Sequence, residues 1–568
     1  MRLFLFLLAI IGFLGASELN VATLGNGQCA IRNYFTIVTL SYNNARWCEK
    51  NLTSLLNQDY DNYDVVYVDD ASTDGTGELV ESYVNGHPQK NRIRLVHNRV
   101  NQGALANLYA TLRSIPDDHI VVLVDGDDSL EGTDVLSKLN RYYNANDAWL
   151  TYGQHRFDPW GLIGHTRPVT RAFLESQQGR SDTWFFSHVR TFYAGLFKKI
   201  RLDDLLEEDT FFPITFDLAV MYPMVEMAGV HTYFVSDILY NYNTINPISD
   251  FRKHLDLQRA MEKVIRAKAR YPRVEEHPSV AVQGEAADII AFSFNRPMQL
   301  YSLLESVEKR VKGVNTTTVI YRCTEEKYEQ GYREVKKRFP EVRFRRQSND
   351  KEIAYTQYKP WVLEALGTEE GKANYVVFAV DDIIVIGDID IAADVKALKE
   401  TGGYGFFYRL GILNDFSFME NRAARQPRLI SVDYQRFAWR FGRGDCEWKY
   451  PHTVDFTIYK KSDILRFHQN ADYHYPNDHE GGWAATALHD GTLSKLGLCP
   501  QFQKIVNIPL NVVSHYGNNL QLNMYSETEL LEKFEEGYKI DVDKLYNARP
   551  HSSHAELPIH FIMRSPNG

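Results

Sequence analysis

Cysteine is scarce in this chain. The five present, Cys29, Cys48, Cys323, Cys446 and Cys499, are too few and too scattered for a disulfide scaffold, and no Cys-x-x-Cys spacing suggests a zinc site. In an oxidising compartment Cys29 with Cys48 and Cys446 with Cys499 are the available pairs; the alternative is that all five are buried thiols. Basic runs are absent as well. The formal net charge is -10 and no Lys/Arg stretch is long enough to follow a phosphate backbone, which excludes nucleic acid as an expected partner. Beyond the first residues no apolar run is long enough to span a bilayer. The dinucleotide glycine fingerprint and the P-loop are both missing, so a nucleotide here would be held by side chains and metal rather than by a glycine cradle.

What is present begins with Met1 to Ser17: one positive charge, an apolar run, then small residues, the pattern of a secretory signal over 1–17. It places the protein in a secretory lumen, a periplasm or outside the cell, or on a membrane if the segment is retained as an anchor. Sequons stand at Asn51 and Asn315, but Asn51 lies beside the apolar face of a predicted helix, which argues against a glycan there. With 568 residues and 44% hydrophobic content the chain is long enough for several domains with real cores. Tyrosine and phenylalanine are abundant, which suits concave carbohydrate or nucleotide sites but mostly supplies core.

The first half alternates strand and helix four times. Tyr34 to Tyr42, Tyr63 to Val68, Ile93 to His97 and Ile120 to Val124 read as short buried strands, and the stretches between them carry apolar residues at helical spacing, such as Cys48, Leu52, Leu55 and Leu56. That order predicts a mainly parallel sheet with its loops on one edge, gathering Tyr42, Asp70, Asn101 and the acidic run Asp125 to Asp128. Carboxylates this close repel unless a hard divalent cation lies between them, and such a cation is usually completed by phosphate oxygens and water; the alternative is that they cap the helix that follows.

Four ordered motifs, Thr39 to Asn43, Val68 to Thr76, Asn101 to Gly103 and Val124 to Asp128, resemble the family-two glycosyltransferases of the GT-A fold over roughly Asn33 to Tyr242. The resemblance implies that Tyr42 and Asp70 contact the nucleoside, with Asn101 beside them. It also implies that Asp125 meets ribose or metal, and that Asp127 binds the Mn²⁺ or Mg²⁺ bridging the donor diphosphate. By the same resemblance Ser187 to Phe192 borders the acceptor, and Asp217 is the general base that takes the acceptor's proton, a role compatible with capping the helix from Leu218. Two departures stand out. Leu40 replaces a more usual proline or threonine, and the closing Tyr-Arg-x-His reads Tyr240-Asn241-Tyr242-Asn243, which leaves the third metal ligand unassigned, with His254 only a weak substitute.

Residues 256–285 read as a basic helix and a proline-containing connection, between a first domain at 30–255 and a second at 286–568. The second repeats the strand and helix order and ends one strand in Asp381-Asp382, which predicts a second GT-A-like domain with Asp382 as a metal ligand. Glu480, close to Trp483, is a candidate base beside a sugar-stacking ring; the alternative is a polar turn with a core tryptophan. The expected fold class is therefore α/β, with two tandem GT-A-like, Rossmann-like domains. The expected function is metal-dependent, inverting transfer of a sugar from a nucleotide-diphosphate donor to a glycan or protein hydroxyl, by one domain or by both. The rivals are a carbohydrate-binding or scaffold protein with a degenerate second domain, and a sugar nucleotidyltransferase, which would need a Gly-rich basic loop that Ser41 to Asn44 does not supply.

Overall fold

The computed structural model describes residues 21–23, 29–176, 179–181, 184–248, 254–367, 369, 371–511 and 525–565. The expected signal segment, 1–17, lies outside them. Among the described residues no helix is long and apolar enough to cross a membrane. The chain forms two units: the first runs to Ile200 and resumes over Phe212–Ala281, and the second combines Arg201–Phe211 with the chain from Val282 onward.

In the first unit β1 (Phe35–Ser41), β2 (Tyr63–Asp69), β3 (Ile93–His97) and β4 (Ile120–Asp125) are parallel. β1 and β4 are β-branched and apolar and almost wholly buried, because helices cover both faces of a parallel sheet. The connecting helices are α1 (Cys48–Leu56), α2 (Thr76–Gly86) and α3 (Ala104–Arg113). Cys48 and Leu52 of α1 share a core cluster with Tyr67, Val80 and Val84. Beyond β4 come β5 (Ser129–Leu130), α4 (Val135–Asn146), β6 (Leu150–Asp158), β7 (Arg190–Tyr193), α5 (Phe216–Ala228) and β8 (Thr232–Asn243). The sheet order is β3-β2-β1-β4-β7-β6-β8-β5, with β7 antiparallel to β4. All four parallel strands therefore end on one edge, where such sheets bind ligands.

The stretch expected as a connection packs instead largely within the first unit. Its helix α6 (Leu255–Ala267) buries only Ile265, but Arg180 ties it down. The Arg180 guanidinium pairs with Glu226 of α5 at 2.6 and 2.9 Å and donates to the Ile265 carbonyl at 2.9 Å, while Glu226 also accepts from the Tyr271 N–H at 3.0 Å. Glu226 is thus a structural anchor.

The second unit opens with the same sequence of elements: β9 (Ala287–Phe294), α7 (Pro297–Arg310), β10 (Val314–Arg322), α8 (Glu326–Arg338), β11 (Arg343–Arg346), α9 (Lys351–Ala365) and β12 (Tyr375–Val380). Later come β13 (Ile383–Val385), β14 (Gly405–Phe407), β15 (Ile430–Ser431), β16 (Arg436–Arg440), β17 (Thr457–Lys460), α10 (Pro476–Thr486), β18 (Leu496–Pro500) and β19 (Ile505–Asn507). The sheet order is β11-β10-β9-β12-β17-β14-β18-β16-β15. Its first four strands are parallel and the next is antiparallel, the third-second-first-fourth order of the first unit. The fold is α/β with two such sheets. Cys48, Cys323, Cys446 and Cys499 are free thiols, so neither disulfide pairing is formed.

Candidate functional site

The carboxyl end of β4 is held in place from three directions. Gly126 fits against β1 so closely that an added Cβ would lie 2.6 Å from Ser41 Cβ and 2.8 Å from the Asn44 amide nitrogen, which explains a glycine between the two acidic positions. Asn51, fully buried on α1, donates its amide to the carbonyls of Asp125 and Asp128 at 3.0 and 2.9 Å. From β8, the Tyr240 hydroxyl donates to Asp128 Oδ2 at 2.7 Å and accepts from the Asp125 N–H at 3.1 Å, while the Asn243 N–H donates to Asp128 Oδ1 at 2.6 Å. A buried sequon asparagine bonded in this way carries no glycan.

This frame brings together one group of potential metal ligands. Ligand atoms of Asp125, Asp128 and His188 all lie within 4.8 Å of one another. His188, just before β7, stacks on the Tyr240 ring with centroids 4.5 Å apart. Burial and the Arg190 charge push the imidazole well below its usual pKa, so it is neutral and offers a lone pair. Burial pushes the Asp128 carboxyl well above the carboxylate range, and repulsion from Asp127 and Asp125 adds to this; a bound cation would relieve that penalty. Two carboxylates and a neutral imidazole therefore fit a divalent cation. Asp127, the expected ligand, stands outside the group: its Oδ2 accepts from the buried Asn246 amide at 2.6 Å. His188 was not foreseen as a ligand, although it stands in the Ser187 to Phe192 stretch expected to border the acceptor.

Arg190 connects this group to the predicted base. One terminal nitrogen lies 3.5 Å from His188 Nε2 and donates to Asp217 Oδ2 at 3.3 Å. Asp217, in the first turn of α5, is partly exposed, with a quarter of its side chain open to solvent (25%). Tyr42, expected beside the nucleoside, is 42% exposed at the end of β1. Asp70 is buried and engaged: its carboxylate accepts from the Asn98 amide at 2.7 Å and from the N–H groups of Gln102 and Gly103, both at 2.8 Å. It shapes the loop that carries Asn101, whose amide donates to the Asp70 carbonyl at 3.2 Å.

In the second unit Asp382 meets Arg296, not a cluster of metal ligands: the guanidinium donates to Asp381 Oδ1 at 3.0 Å and to Asp382 Oδ2 at 3.3 Å. Burial pushes the Asp382 carboxyl up to about 7; Arg296 opposes this, while Asp381 and Asp455 add to it. Glu480, on α10, accepts from the Thr453 hydroxyl at 2.7 Å and the Val454 N–H at 3.1 Å. Burial, then repulsion from Asp455, pushes it up to about 7 as well. Asp455 is the unforeseen neighbour common to both. Trp483 is a core residue, buried and stacked on His452 at 4.8 Å, so it offers no face to a sugar. His452 bonds the Tyr404 hydroxyl and His479 bonds His468, both at 2.9 Å.

Comparison with known proteins places a glycosyl transferase family 2 domain at residues 36–201. Glycosyltransferase GlyG of Streptococcus pneumoniae is 27% identical over 120 residues, 21% of this chain and 38% of that protein. The bifunctional glycosyltransferase pgtA of Dictyostelium discoideum is 25% identical over 193 residues, 31% of this chain and 24% of that protein. The chain spans less than half the length of the curated relatives it matches. Among solved structures, the mannosyltransferase PcManGT from Pyrobaculum calidifontis, in complex with GDP-Man and Mn²⁺, is similar over 47% of this chain and 73% of its own, at 22% identity and a TM-score of 0.30.

Proposed function

We propose that this chain is a metal-dependent, inverting glycosyltransferase that moves a sugar from a nucleotide-diphosphate donor to a hydroxyl of a glycan or protein, with its active site in the first unit. The observation that carries this reading is the convergence of Asp125, Asp128 and His188 at the carboxyl edge of a parallel sheet, inside the family 2 domain. These residues would hold the cation. When bound, it offsets the charge that develops on the departing diphosphate. The neutral imidazole in the set favours Mn²⁺ over Mg²⁺, which prefers an all-oxygen shell and keeps its waters.

The other residues take their roles from position. Tyr42 stacks on the base, and Asp70 holds the Asn101 loop against the nucleoside. Asp217 accepts the proton of the acceptor hydroxyl as its oxygen bonds the anomeric carbon; the bond to the diphosphate breaks with its electron pair, and in-line attack inverts the centre. Arg190, bonded to Asp217 and close to His188, keeps the base beside the metal ligands. The repeated strand order supports a second GT-A-like domain in the second unit. Whether it transfers or only holds the acceptor turns on Asp455, Glu480 and Asp382. The apolar amino-terminal run supports a secretory compartment.

The test is donor cleavage and transfer across UDP-, GDP- and other nucleotide sugars with Mn²⁺. Wild type should consume one donor class and stop on chelation. Asp217→Asn should lower kcat by about 10²–10⁴ with donor KM little changed, the loss expected for a general base. Full activity in EDTA, or in Asp217→Asn, contradicts the reading.

A further inference from the structure

The two units share a strand order, so Asp381 and Asp382, just after β12, occupy the place that Asp125 to Asp128 occupy at the end of β4. The counter-charge differs. In the second unit it is already built in: Arg296, 8% exposed in the turn between β9 and α7, has all three guanidinium nitrogens engaged. One terminal nitrogen bonds Asp381 at 3.0 Å and Asp382 at 3.3 Å; Nε donates to Asn511 Oδ1 at 2.9 Å, and the other terminal nitrogen to the Asn511 carbonyl at 2.5 Å. Asp381 is completed by the Phe294 N–H at 3.1 Å, and the Arg296 N–H donates to the Tyr332 hydroxyl at 3.1 Å, which fixes the turn that carries the guanidinium. Among the described residues no histidine, cysteine or further carboxylate joins Asp381 and Asp382 in a group fit for a metal.

A divalent cation bound here would compete with the guanidinium for the same oxygens and be repelled by it, and a buried arginine cannot shed its proton to make room. The residues at this edge therefore do not fit the cation that the fold suggests. We propose that Arg296 is the resident counter-charge of the second unit's acidic edge, so that this edge takes its ligand without a divalent cation and does not hold a metal-bridged diphosphate. Beside this ion pair stand buried polar atoms without partners among the described residues, Asp382 Oδ1, Asn507 Oδ1 and the Asn511 amide nitrogen, on residues that adjoin through the β13–β19 pairing and Arg296. These are acceptors and a donor suited to neutral hydroxyls.

The test is Mn²⁺ binding to the full chain, read from the loss of the free-ion signal in electron paramagnetic resonance. Asp382→Asn should bind as many ions as wild type. Arg296→Ala should bind one more, and Arg296→Ala with Asp382→Asn should lose that extra ion. A wild-type site lost in Asp382→Asn overturns the inference, as does an Arg296→Ala chain that folds and gains none. If Arg296→Ala does not fold, Asp382→Asn, which keeps the Arg296–Asp381 bond, decides alone. Asp128→Asn separates this from the first unit: a wild type that binds no ion, with Arg296→Ala binding one, defeats the metal-dependent reading and leaves this inference standing.

Discussion

Asn51 does the work of a clasp for the acidic loop, with both amide hydrogens on carbonyls of the residues that flank the turn. Replacing it with leucine keeps the branched shape but adds bulk and takes the Asn51 donor from the buried Asp128 carbonyl, while the Asp125 carbonyl keeps the Asp128 N–H at 3.1 Å. Asn51→Leu is therefore expected to lose about 1–3 kcal/mol of stability in urea unfolding, the usual cost of an unsatisfied buried group. An unchanged midpoint would show that water takes over the bonds. At this scale the sequence was partly legible. The run Asp125 to Asp128 announced a metal or a cap, but spacing alone does not say which carboxylate turns inward. That choice is made by Tyr240 and Asn243, 112 and 115 residues downstream of Asp128, which select Asp128, and by Asn246, which takes Asp127 aside. His188 was hidden for the same reason: it is adjacent to the acidic turn only after β7 inserts beside β4.

At the scale of elements, period and punctuation carried far. Tyr375–Val380 coincides with the strand expected from its apolar run, because a buried parallel strand shows its apolar character without interruption; Ile93–His97 forms where expected but at the sheet edge with none of its residues buried, so the expectation of a buried strand there is corrected. The stretch 256–285 was read as a helix and a connection between domains; the helix forms as α6 and, although it buries only Ile265, it belongs with the first unit. What holds it is an ion pair that no periodicity reveals. Arg180 and Glu226 are both about 4% exposed at the side chain, so removing either partner leaves a buried charge uncompensated. Arg180→Ala or Glu226→Ala is expected to destabilise the chain by about 3–5 kcal/mol in thermal or denaturant unfolding. A double variant to apolar residues should recover much of that loss. Equal losses in the single and double variants would show that the bonds to the Ile265 carbonyl and the Tyr271 N–H matter more than the pair.

At the scale of the molecule, two sheets with one strand order carry two different electrostatic solutions at the same edge. The first gathers Asp125 and Asp128 beside His188, with Arg190 against the imidazole, a set that on the proposed reading holds a cation; the second sets Arg296 directly on Asp381 and Asp382. The repeat itself was legible, since Phe378-Ala379-Val380-Asp381-Asp382 echoes Leu123-Val124-Asp125-Gly126-Asp127-Asp128. The difference was not, because Arg296 lies more than eighty residues from the pair it neutralises. The measurement that tests the central claim most directly is the anomalous difference map of a crystal of the full chain grown with Mn²⁺ and UDP or GDP. A peak bounded by Asp125, Asp128 and His188 is the predicted result. A first unit without that peak, or a peak on Asp127 that leaves His188 uncoordinated, would contradict it.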